Sequence, residues 1–304
     1  MKLAKMARSV YYYTRKRMLR EDKYSTERER IIMIFNDNEG LYGYRRVTAE
    51  MRNLGFKINH KTVLKIMREE TLKVRTKKVK YHSYKGEVGT VAPNVLQRDF
   101  KASAPNQKWV TDVTQINIGS QKIYLSPIVD LFNGEIVSYN VSSSPNLAQV
   151  VEMIENAFGR FDRLDGLVIH SDQGWQYQHL IYRQLLEDRH VIQSMSRKGN
   201  CLDNAVAENF FGIMKTELLY SRQFKSAKDF ITALHKYIDY YNNRRIKLRL
   251  RGMSPVQYRK QYLNILLLSN FLGAHHYRGT EIFRFHLTMD TLDLGCMIPA
   301  IRAH

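Results

Sequence analysis

Apolar residues recur at helical spacing in three short stretches between residues 25 and 75. The first stretch follows a predicted cap at Ser25 or Thr26, the second ends at Gly55, and the third begins behind Asn59. A short turn before a basic amphipathic helix indicates helix-turn-helix geometry, although it also fits a helical module that only packs. The positions expected to face inward are Ile31, Ile32, Phe35, Val47, Met51, Leu54, Val63, Ile66 and Met67.

From Asn106 onward, runs rich in β-branched residues alternate with amphipathic runs. Asn133-Gly134 predicts a two-residue hairpin turn between the second and third strands. The order predicts an α/β ribonuclease-H-like fold, with a mixed five-stranded sheet and helices on both faces. The predicted strands cover 108–113, 122–131, 135–141, 166–170 and 190–196. The predicted helices cover 147–160, 176–188, 204–219 and 227–242, the last with its core stripe at Phe230, Leu234, Ile238 and Tyr241.

These patterns divide the chain into five parts. The N-terminal arm is basic and tyrosine-rich, and its sequence fits either a helix or an unordered segment. The linker carries Lys77, Lys78, Lys80 and Lys85, which suits contact with a phosphate backbone. The parts are the arm 1–24, the helix-turn-helix-like module 25–75, the linker 76–105, the ribonuclease-H-like core 106–262 and a C-terminal tail 263–304.

Charge adds a partner to this picture. The chain carries a net +19, and residues 1–105 hold 25 Lys and Arg against 11 Asp and Glu. Such a basic front predicts a polyanionic partner, nucleic acid before a membrane surface. The first 25 residues lack an apolar signal segment, and the longest apolar run, Ile31–Phe35, is too short to span a bilayer. We therefore expect no membrane partner.

Cysteine usage points to a reducing compartment. Cys201 and Cys296 lie far apart, without the spacing of a zinc site and without a disulfide framework. We expect a cytosolic protein.

Three carboxylates are candidates for catalysis. Asp112 ends the first predicted strand, Asp172 follows the fourth, and Glu208 lies one turn into a helix. In a ribonuclease-H-like sheet the first and fourth strands are neighbours, so the two aspartates should converge and the helix should add the glutamate. Carboxylate oxygens suit Mg²⁺, and two such ions can support an in-line phosphoryl transfer.

Each candidate also has a structural alternative, since acidic residues at strand ends and in first helical turns are common. Among the rival acids Asp130, Asp203 and Glu217, we expect Asp203 to cap the helix beginning near Asn204 and Glu217 to be solvated. His170 is interpreted as packing at the site. Trp175 and Tyr177 fit base stacking, but packing beneath the sheet is favoured.

Several motifs resemble the catalytic subunit of insertion-sequence transposases that are encoded in two overlapping reading frames, the product of the second frame. The core of that family is similar to retroviral integrases, and the resemblance covers about residues 27–260. The matching stretches are Trp109–Asp112, Tyr124–Phe132, His170–Tyr177, Ser194–Ala205 and Glu208–Gly212.

The resemblance implies a polynucleotidyl transferase with a DDE triad at Asp112, Asp172 and Glu208, the last two separated by 35 residues. It implies two Mg²⁺ ions, with Mn²⁺ as a substitute, held by the triad. The implied reaction is cleavage of double-stranded DNA at element ends, followed by attack of the freed 3′-hydroxyl on target DNA. Expected DNA contacts from the loop, the catalytic helix, the third helix of the module and a second basic cluster are Arg197, Lys198, Asn200, Asn204, Lys215, Lys61, Lys65, Arg68, Arg244 and Arg245.

The same resemblance implies a bacterial cytoplasmic, nucleoid-associated protein that forms a homo-oligomer and needs a first-frame subunit or a frameshift fusion. From about Leu263 the sequence departs from the family pattern, and the hypothesis is a read-through or shifted-frame extension. Two other functions stay open on sequence alone: a catalytically inactive DNA-binding regulator or transposase relic, and a ribonuclease of the same fold.

Overall fold

The computed structural model describes residues 7–18, 22–74, 91–197 and 201–275. The predicted contacts Lys198 and Asn200 and the four linker lysines lie outside the described residues, as does the tail from residue 276. The described part up to Lys260 forms one compact unit, and residues from Gln261 belong to a second. Across the described residues, no helix is both long enough and apolar enough to cross a bilayer.

The described helices are α1 Arg8–Met18, α2 Ser25–Asp37, α3 Tyr44–Asn53, α4 His60–Glu69, α5 Leu147–Phe158, α6 Trp175–Gln178, α7 Leu180–Glu187, α8 Ala205–Met214, α9 Ala227–Asn243 and α10 Pro255–His275. The strands are β1 Lys108–Thr111, β2 Thr114–Ile118, β3 Gln121–Asp130, β4 Ile136–Ser142, β5 Val168–Ser171 and β6 Ile192–Met195. Short 3₁₀ turns cover Cys201–Asn204 and Leu248–Leu250, and a π-helical turn follows α8 at Lys215–Leu219.

Helices α2, α3 and α4 form the helix-turn-helix-like module around a shared apolar core. Most predicted inward residues are buried, but Leu54 is 43% exposed and Ile32 is only half-buried. Ile34 is buried beside Ile31 instead, because three residues along a helix return to the same face whereas one does not. Leu54 lies just beyond the end of α3 and therefore leaves its stripe.

The caps of the module were predicted only in part. The Asn59 side chain accepts a hydrogen bond from the Lys61 backbone N–H at 2.9 Å and caps α4, as predicted. The cap predicted at Ser25 or Thr26 is wrong, because α2 begins at Ser25 behind Tyr24 with no side-chain capping bond.

The sheet has the mixed order expected of a ribonuclease-H-like fold. Strands β1 and β2 lie end to end along one edge of β3 and pair with it antiparallel, while β4 pairs with its other edge. β1 also pairs parallel with β5, and β5 pairs parallel with β6. The fold class is confirmed. Among the described residues the sheet has six strands rather than five, because the first predicted strand, 108–113, ends at Thr111 and a strand that was not predicted follows at Thr114–Ile118.

Two further boundaries differ from prediction. The connection between β3 and β4 spans five residues rather than two: the Asp130 N–H donates to the Glu135 carbonyl, and the Gly134 N–H donates to the Asp130 carbonyl. The helix predicted over 176–188 is two helices, because His179 adopts an extended conformation and caps α7 by accepting from the Ile181 N–H.

Each face of the sheet carries its own core, since successive strand residues point to opposite faces. Trp109 packs with α5 and α7 on one face, while the next residue, Val110, packs with α8 and α9 on the other. The predicted stripe on α9 is buried against the second face, as expected. The α8 face is the one that carries the candidate glutamate.

A buried ion pair lies where the helix-turn-helix-like module meets the core. Arg245 is 3% exposed, and its guanidinium donates to both Glu217 carboxylate oxygens at 2.6 and 2.8 Å. The Tyr237 hydroxyl also donates to Glu217, and Arg46 of α3 lies 3.6 Å from it. Two expectations are therefore wrong: Glu217 is not solvated, and Arg245 is not placed for DNA contact. Sequence could not show that the two charges are taken out of water together.

The Tyr42 hydroxyl makes a second link across the same junction. It donates to the Arg244 carbonyl at 3.2 Å and accepts from the Ile246 N–H at 2.9 Å. The loop between α2 and α3 is thereby tied to the backbone that follows α9.

Replacing Arg245 by Ala should destabilise the protein by about 3–5 kcal/mol, because it leaves the Glu217 carboxylate buried without its bidentate partner. Urea unfolding followed by circular dichroism measures the change. Arg244→Ala is the matched control, since Arg244 is exposed beside the Tyr240 ring and should cost no more than about 1 kcal/mol. Equal losses in the two variants would contradict this role for Arg245.

Candidate active site at the carboxyl edge of the sheet

Parallel pairing places Asp112 and Asp172 level with each other. Val110 of β1 is in register with His170 of β5, and each aspartate lies two residues further along its own strand. Neighbouring strands are about 4.8 Å apart, so the two residues leave the same edge of the sheet side by side. Side chains two positions apart along a strand point to the same face, and Val110 points to the face covered by α8. Asp112 is therefore expected on the α8 face. The predicted neighbourhood of the first and fourth predicted strands is confirmed.

Local backbone bonds orient both aspartates. The Val113 N–H donates to Asp112 Oδ1 at 2.7 Å, within the two-residue interruption between β1 and β2. The Gly174 N–H donates to Asp172 Oδ1 at 2.9 Å. Both carboxylates are half-buried. The broken first strand is therefore part of the site, because it frees a backbone donor for the carboxylate.

Glu208 and Lys215 come from the helix that covers this face. Glu208 lies in the first turn of α8, half-buried, and Lys215 follows it by seven residues, two turns along the same side. The Lys215 ammonium donates to the Thr114 hydroxyl at the start of β2, at 3.1 Å. This bond holds the end of α8 near the strand that continues from Asp112.

The pKa values of all three acids are raised, mainly by burial. Burial raises the pKa of Asp112 well above its usual range, the charge on Asp172 raises it further, and Glu208 contributes in the same direction. Burial also raises the pKa values of Asp172 and Glu208. Burial lowers the pKa of Lys215, and the Asp112 charge opposes that change. The negative charge of the three acids therefore exceeds the charge that Lys215 offsets.

The donor set suits a hard cation, although the side chains are not closed into a ligand cage. Among the described residues, no group of three or more His, Cys, Asp or Glu side chains is arranged to hold a metal ion. Asp112 and Asp172 instead accept hydrogen bonds from the Val113 and Gly174 N–H groups. Oxygen-only donors with raised pKa values nonetheless fit Mg²⁺ better than a softer metal.

Aromatic and polar packing supports the strand ends from the opposite face. The Tyr177 ring is buried, and its hydroxyl lies 3.3 Å from the Thr111 hydroxyl. Packing beneath the sheet is thus confirmed for Tyr177. It is wrong for Trp175, which is 50% exposed because it begins α6 at the surface.

His170 is confirmed as a packing residue. It is fully buried, and its Nδ1 lies 2.8 Å from the Ser194 hydroxyl on β6. Burial lowers the pKa of its imidazole, so the ring is held neutral.

The loop beside the site uses Asp203 differently from the prediction. The Asp203 carboxylate does not cap α8; it accepts from the Arg197 guanidinium at 2.9 and 3.0 Å and from Arg98 at 2.7 Å. Asn204, the last residue of the 3₁₀ turn that precedes α8, is buried rather than exposed toward DNA. Sequence indicated Arg197 but missed Arg98, which lies outside every motif.

Other predicted contacts are accessible. Arg244 is exposed beyond α9, Lys215 is half-buried, and three basic residues lie on the exposed side of α4: Lys61, Lys65 and Arg68. Lys65 lies 3.7 Å from Glu69, one turn away. These side chains have room for a phosphate, and their role stays a prediction.

Gly174 is a site residue that the sequence reasoning did not single out. A Cβ at this position would lie 3.0 Å from Asp172 Oδ1 and 3.3 Å from the Tyr177 ring. A side chain here would require its neighbours to shift by a few tenths of an ångström, so glycine fits the position best. In the sequence, the available signal was a glycine two positions after Asp172.

Comparison with known families gives a consistent assignment. Residues 102–201 match the integrase core domain, residues 208–263 match a second integrase core domain family, and residues 23–80 match an HTH-like domain. The three matches cover the module, both aspartates and the glutamate.

Individual proteins are also similar. InsK, assigned as transposase of insertion sequence element IS150 in Escherichia coli (strain K12), is 48% identical over 261 residues, covering 86% of this chain and 92% of that protein. A transposase-like protein of Haemophilus influenzae is 50% identical over 208 residues, covering 68% and 96%. The transposase for insertion sequence element IS904 of Lactococcus lactis is 34% identical over 247 residues, covering 79% and 98%.

Among solved structures, the HTLV-2 integrase catalytic core domain in complex with magnesium has 19% sequence identity and a TM-score of 0.42. That comparison covers 52% of this chain and 99% of the other.

Asp112→Asn should stabilise the protein at neutral pH when divalent cations are absent. The raised pKa means that the folded state binds the Asp112 proton more tightly than the unfolded chain, whose pKa is about 3.9. Stability is therefore lost as pH rises through that window, and the substitution removes the loss. We expect Tm to rise by at least about 2 °C above the raised pKa and the gain to vanish below about pH 4.

Thermal unfolding in EDTA across pH measures the effect. Asp165→Asn, a change at an exposed carboxylate paired with Arg163, is the control. A gain in Tm that is independent of pH, or equal in both variants, would contradict the electrostatic account.

Proposed function

Because this chain belongs to the insertion-sequence transposases with an integrase core domain, and is thus a DDE-type polynucleotidyl transferase, we propose that Asp112, Asp172 and Glu208 are its catalytic carboxylates. The observation that carries the assignment is the register of β1 on β5, which brings the two aspartates out level on the α8 face. The response of Asp112 to the charges of both other acids supports it.

We propose that the three carboxylates hold two Mg²⁺ ions, with Mn²⁺ as a substitute. When bound, divalent cations would stabilise the attacking and leaving oxygens of an in-line displacement. The acids have raised pKa values because their charges are partly buried together, and a cation between them would offset that cost.

The proposed reaction has two steps at phosphorus. In the first, water attacks an element-end phosphodiester, the bond to the 3′ oxygen breaks, and a 3′-hydroxyl is released. In the second, that hydroxyl attacks a target phosphodiester, forming one phosphodiester bond as another breaks. The three carboxylates orient both nucleophiles, and Lys215, which lies beside Asp112, binds a phosphate oxygen.

For DNA binding, we propose that the helix-turn-helix-like module positions the DNA and that the core holds it for the reaction. The exposed basic side of α4 enters a groove of the duplex, Arg197 and Lys215 hold the backbone near the catalytic edge, and Arg244 holds it beyond α9. Element ends and target would both be double-stranded DNA, a partner that suits the net +19.

The assembly follows from the same family membership. Joining two element ends to one target calls for a homo-oligomer, and we propose in addition a first-frame subunit or frameshift fusion for end recognition. The setting is the bacterial cytoplasm, at the nucleoid. An inactive regulator is not favoured, because the two matched integrase core models together include all three acids.

Asp112→Asn, Asp172→Asn and Glu208→Gln should each reduce DNA joining by more than about 100-fold while leaving DNA binding intact, since loss of one group that stabilises transition-state charge costs that much or more. The assay follows joining of a duplex with a preformed 3′ end in the presence of Mg²⁺. Glu155→Gln, a change at an exposed acid on α5, should keep wild-type activity. Joining at wild-type rate in any of the three variants would reject that residue.

Lys61→Ala and Arg68→Ala should each weaken DNA binding and reduce the slope of log affinity against log salt by about 1, because each removes one phosphate contact. Fluorescence anisotropy with a labelled duplex measures the slope. Lys228→Ala removes an equally exposed charge on α9 and should leave the slope unchanged. If all three variants reduce the slope equally, the proposed contact of α4 with DNA is contradicted.

A further inference from the structure

A basic cleft lies beside the catalytic edge, next to β6. It has a volume of about 440 Å³ and is lined by Asn94, Gln97, Arg98 and Arg197. Arg98 and Asn94 belong to the segment that precedes the core, whereas Arg197 follows β6. Among the described residues that line the cleft, every side chain is polar, and two of the four carry a guanidinium.

Asp203 lies behind the two arginines and fixes their direction. Its side chain is fully buried, while the Arg98 and Arg197 side chains are 43% and 59% exposed. Arg197 donates through Nε and Nη2 and Arg98 through Nε, and the Asn94 amide adds a bond at 3.1 Å. One carboxylate thus orients two cations, whose charges exceed its own by one.

The guanidiniums retain donors that face solvent. Among bonds between described residues, Arg98 uses neither Nη group and Arg197 does not use Nη1. Asp99, the nearest other acid along the chain, is paired with Lys108 at 2.7 Å. A carboxylate that binds one side of a planar guanidinium fixes its orientation, so the donors on the other side are preorganised to bind a phosphate.

Backbone bonds connect the cleft to the catalytic edge. The Ser196 N–H donates to the Ser171 carbonyl at 2.9 Å, and the Gln173 amide donates to the Ser196 carbonyl at 3.0 Å. Arg197 is the next residue after Ser196, and Asp172 is the residue between Ser171 and Gln173. The cleft therefore adjoins Asp172 on the β6 side, opposite the side on which Lys215 meets β2.

The segment before the core is itself fixed to β6. The Val95 and Leu96 N–H groups donate to the Ser194 hydroxyl at 2.9 and 3.1 Å, and Leu96 is buried in the core on the α8 face. Arg98 thus stands on anchored backbone, which distinguishes it from a charge on a free surface loop.

We propose that this cleft binds a phosphate of the DNA backbone through Arg98 and Arg197, and that Asp203 is the positioning residue that aims them. The site extends the proposed DNA track beyond the catalytic edge, and in that respect the inference rests on the proposed function. Arg98 becomes a DNA contact contributed by the segment that joins the helix-turn-helix-like module to the core.

The test measures binding of the full chain to a fluorescein-labelled linear duplex in EDTA at several salt concentrations. Arg98→Ala should reduce the slope of log affinity against log salt by about 1. Arg163→Ala, a change at an 86% exposed arginine outside the cleft, should leave it unchanged. A wild-type slope in Arg98→Ala, or equal reductions in the two variants, would overturn the proposal.

Asp203→Asn gives a test of sign. The substitution raises the net charge by one, so an acid that merely neutralises the arginines would on removal give tighter binding and a steeper slope. A positioning residue would instead give weaker binding and a shallower slope, which is the expected result. Tighter binding would refute the positioning role of Asp203.

Gln97→Glu covers the case in which Asp203→Asn fails to fold. It places a negative charge in the cleft without touching the Asp203 bonds and should reduce the slope, whereas Gln184→Glu on the exposed side of α7 should not. An unchanged slope in Gln97→Glu would count against the cleft. Because binding is measured without a divalent cation, failure of the catalytic assignment would show separately, as joining activity retained by Asp112→Asn.

Discussion

The parallel pairing of β1 with β5 is the constraint on which the candidate site depends. These strands are separated in the chain by three antiparallel strands and a helix, and only their hydrogen-bonded register makes Asp112 and Asp172 neighbours. A shift of one residue would turn one carboxylate to the opposite face, among the apolar side chains under α5. Because Trp109 and Val110 fill separate cores, such a shift would also expose or misplace both. The packing of the two faces therefore holds the chemistry in place.

At this site the rigid framework holds three carboxylates whose partial burial is electrostatically unfavourable. Partial burial of acids that repel one another costs stability, and the raised pKa values record that cost. Such strain is common where a protein is arranged to receive a cation or a charged substrate. The Lys215 ammonium lowers the pKa of Asp112 and so offsets part of that cost. The Val113 and Gly174 N–H groups orient the two aspartates. Stability is lower here than an apolar edge would allow, in exchange for a poised set of oxygen ligands.

Arginine residues serve two different purposes in this basic protein. Arg245, which follows α9, is buried against Glu217 in the turn after α8, so its charge is neutralised inside the fold. Arg98 and Arg197 are also paired with an acid, but their outer sides remain open. Net charge alone cannot separate these cases, since a buried pair and an exposed fork contribute the same formal charge. The difference lies in exposure: Arg245 is buried with its acid, whereas Arg98 and Arg197 are exposed to water and only their acid, Asp203, is buried.

Local pattern in the sequence determined much of this protein. Strand and helix periodicity, the Asn59 cap and the spacing of Asp112, Asp172 and Glu208 are properties of short segments, and they were sufficient to predict the ribonuclease-H-like fold and its candidate acids. The resemblance of the motifs to insertion-sequence transposases added the chemistry. Tertiary structure alone decided the break after Thr111, the burial of Arg245 and Asn204, the exposure of Trp175 and the link from Arg98 to Asp203. Each of these depends on which remote segment supplies the neighbour, and the desolvation of a charge is a property of that neighbourhood rather than of the residue.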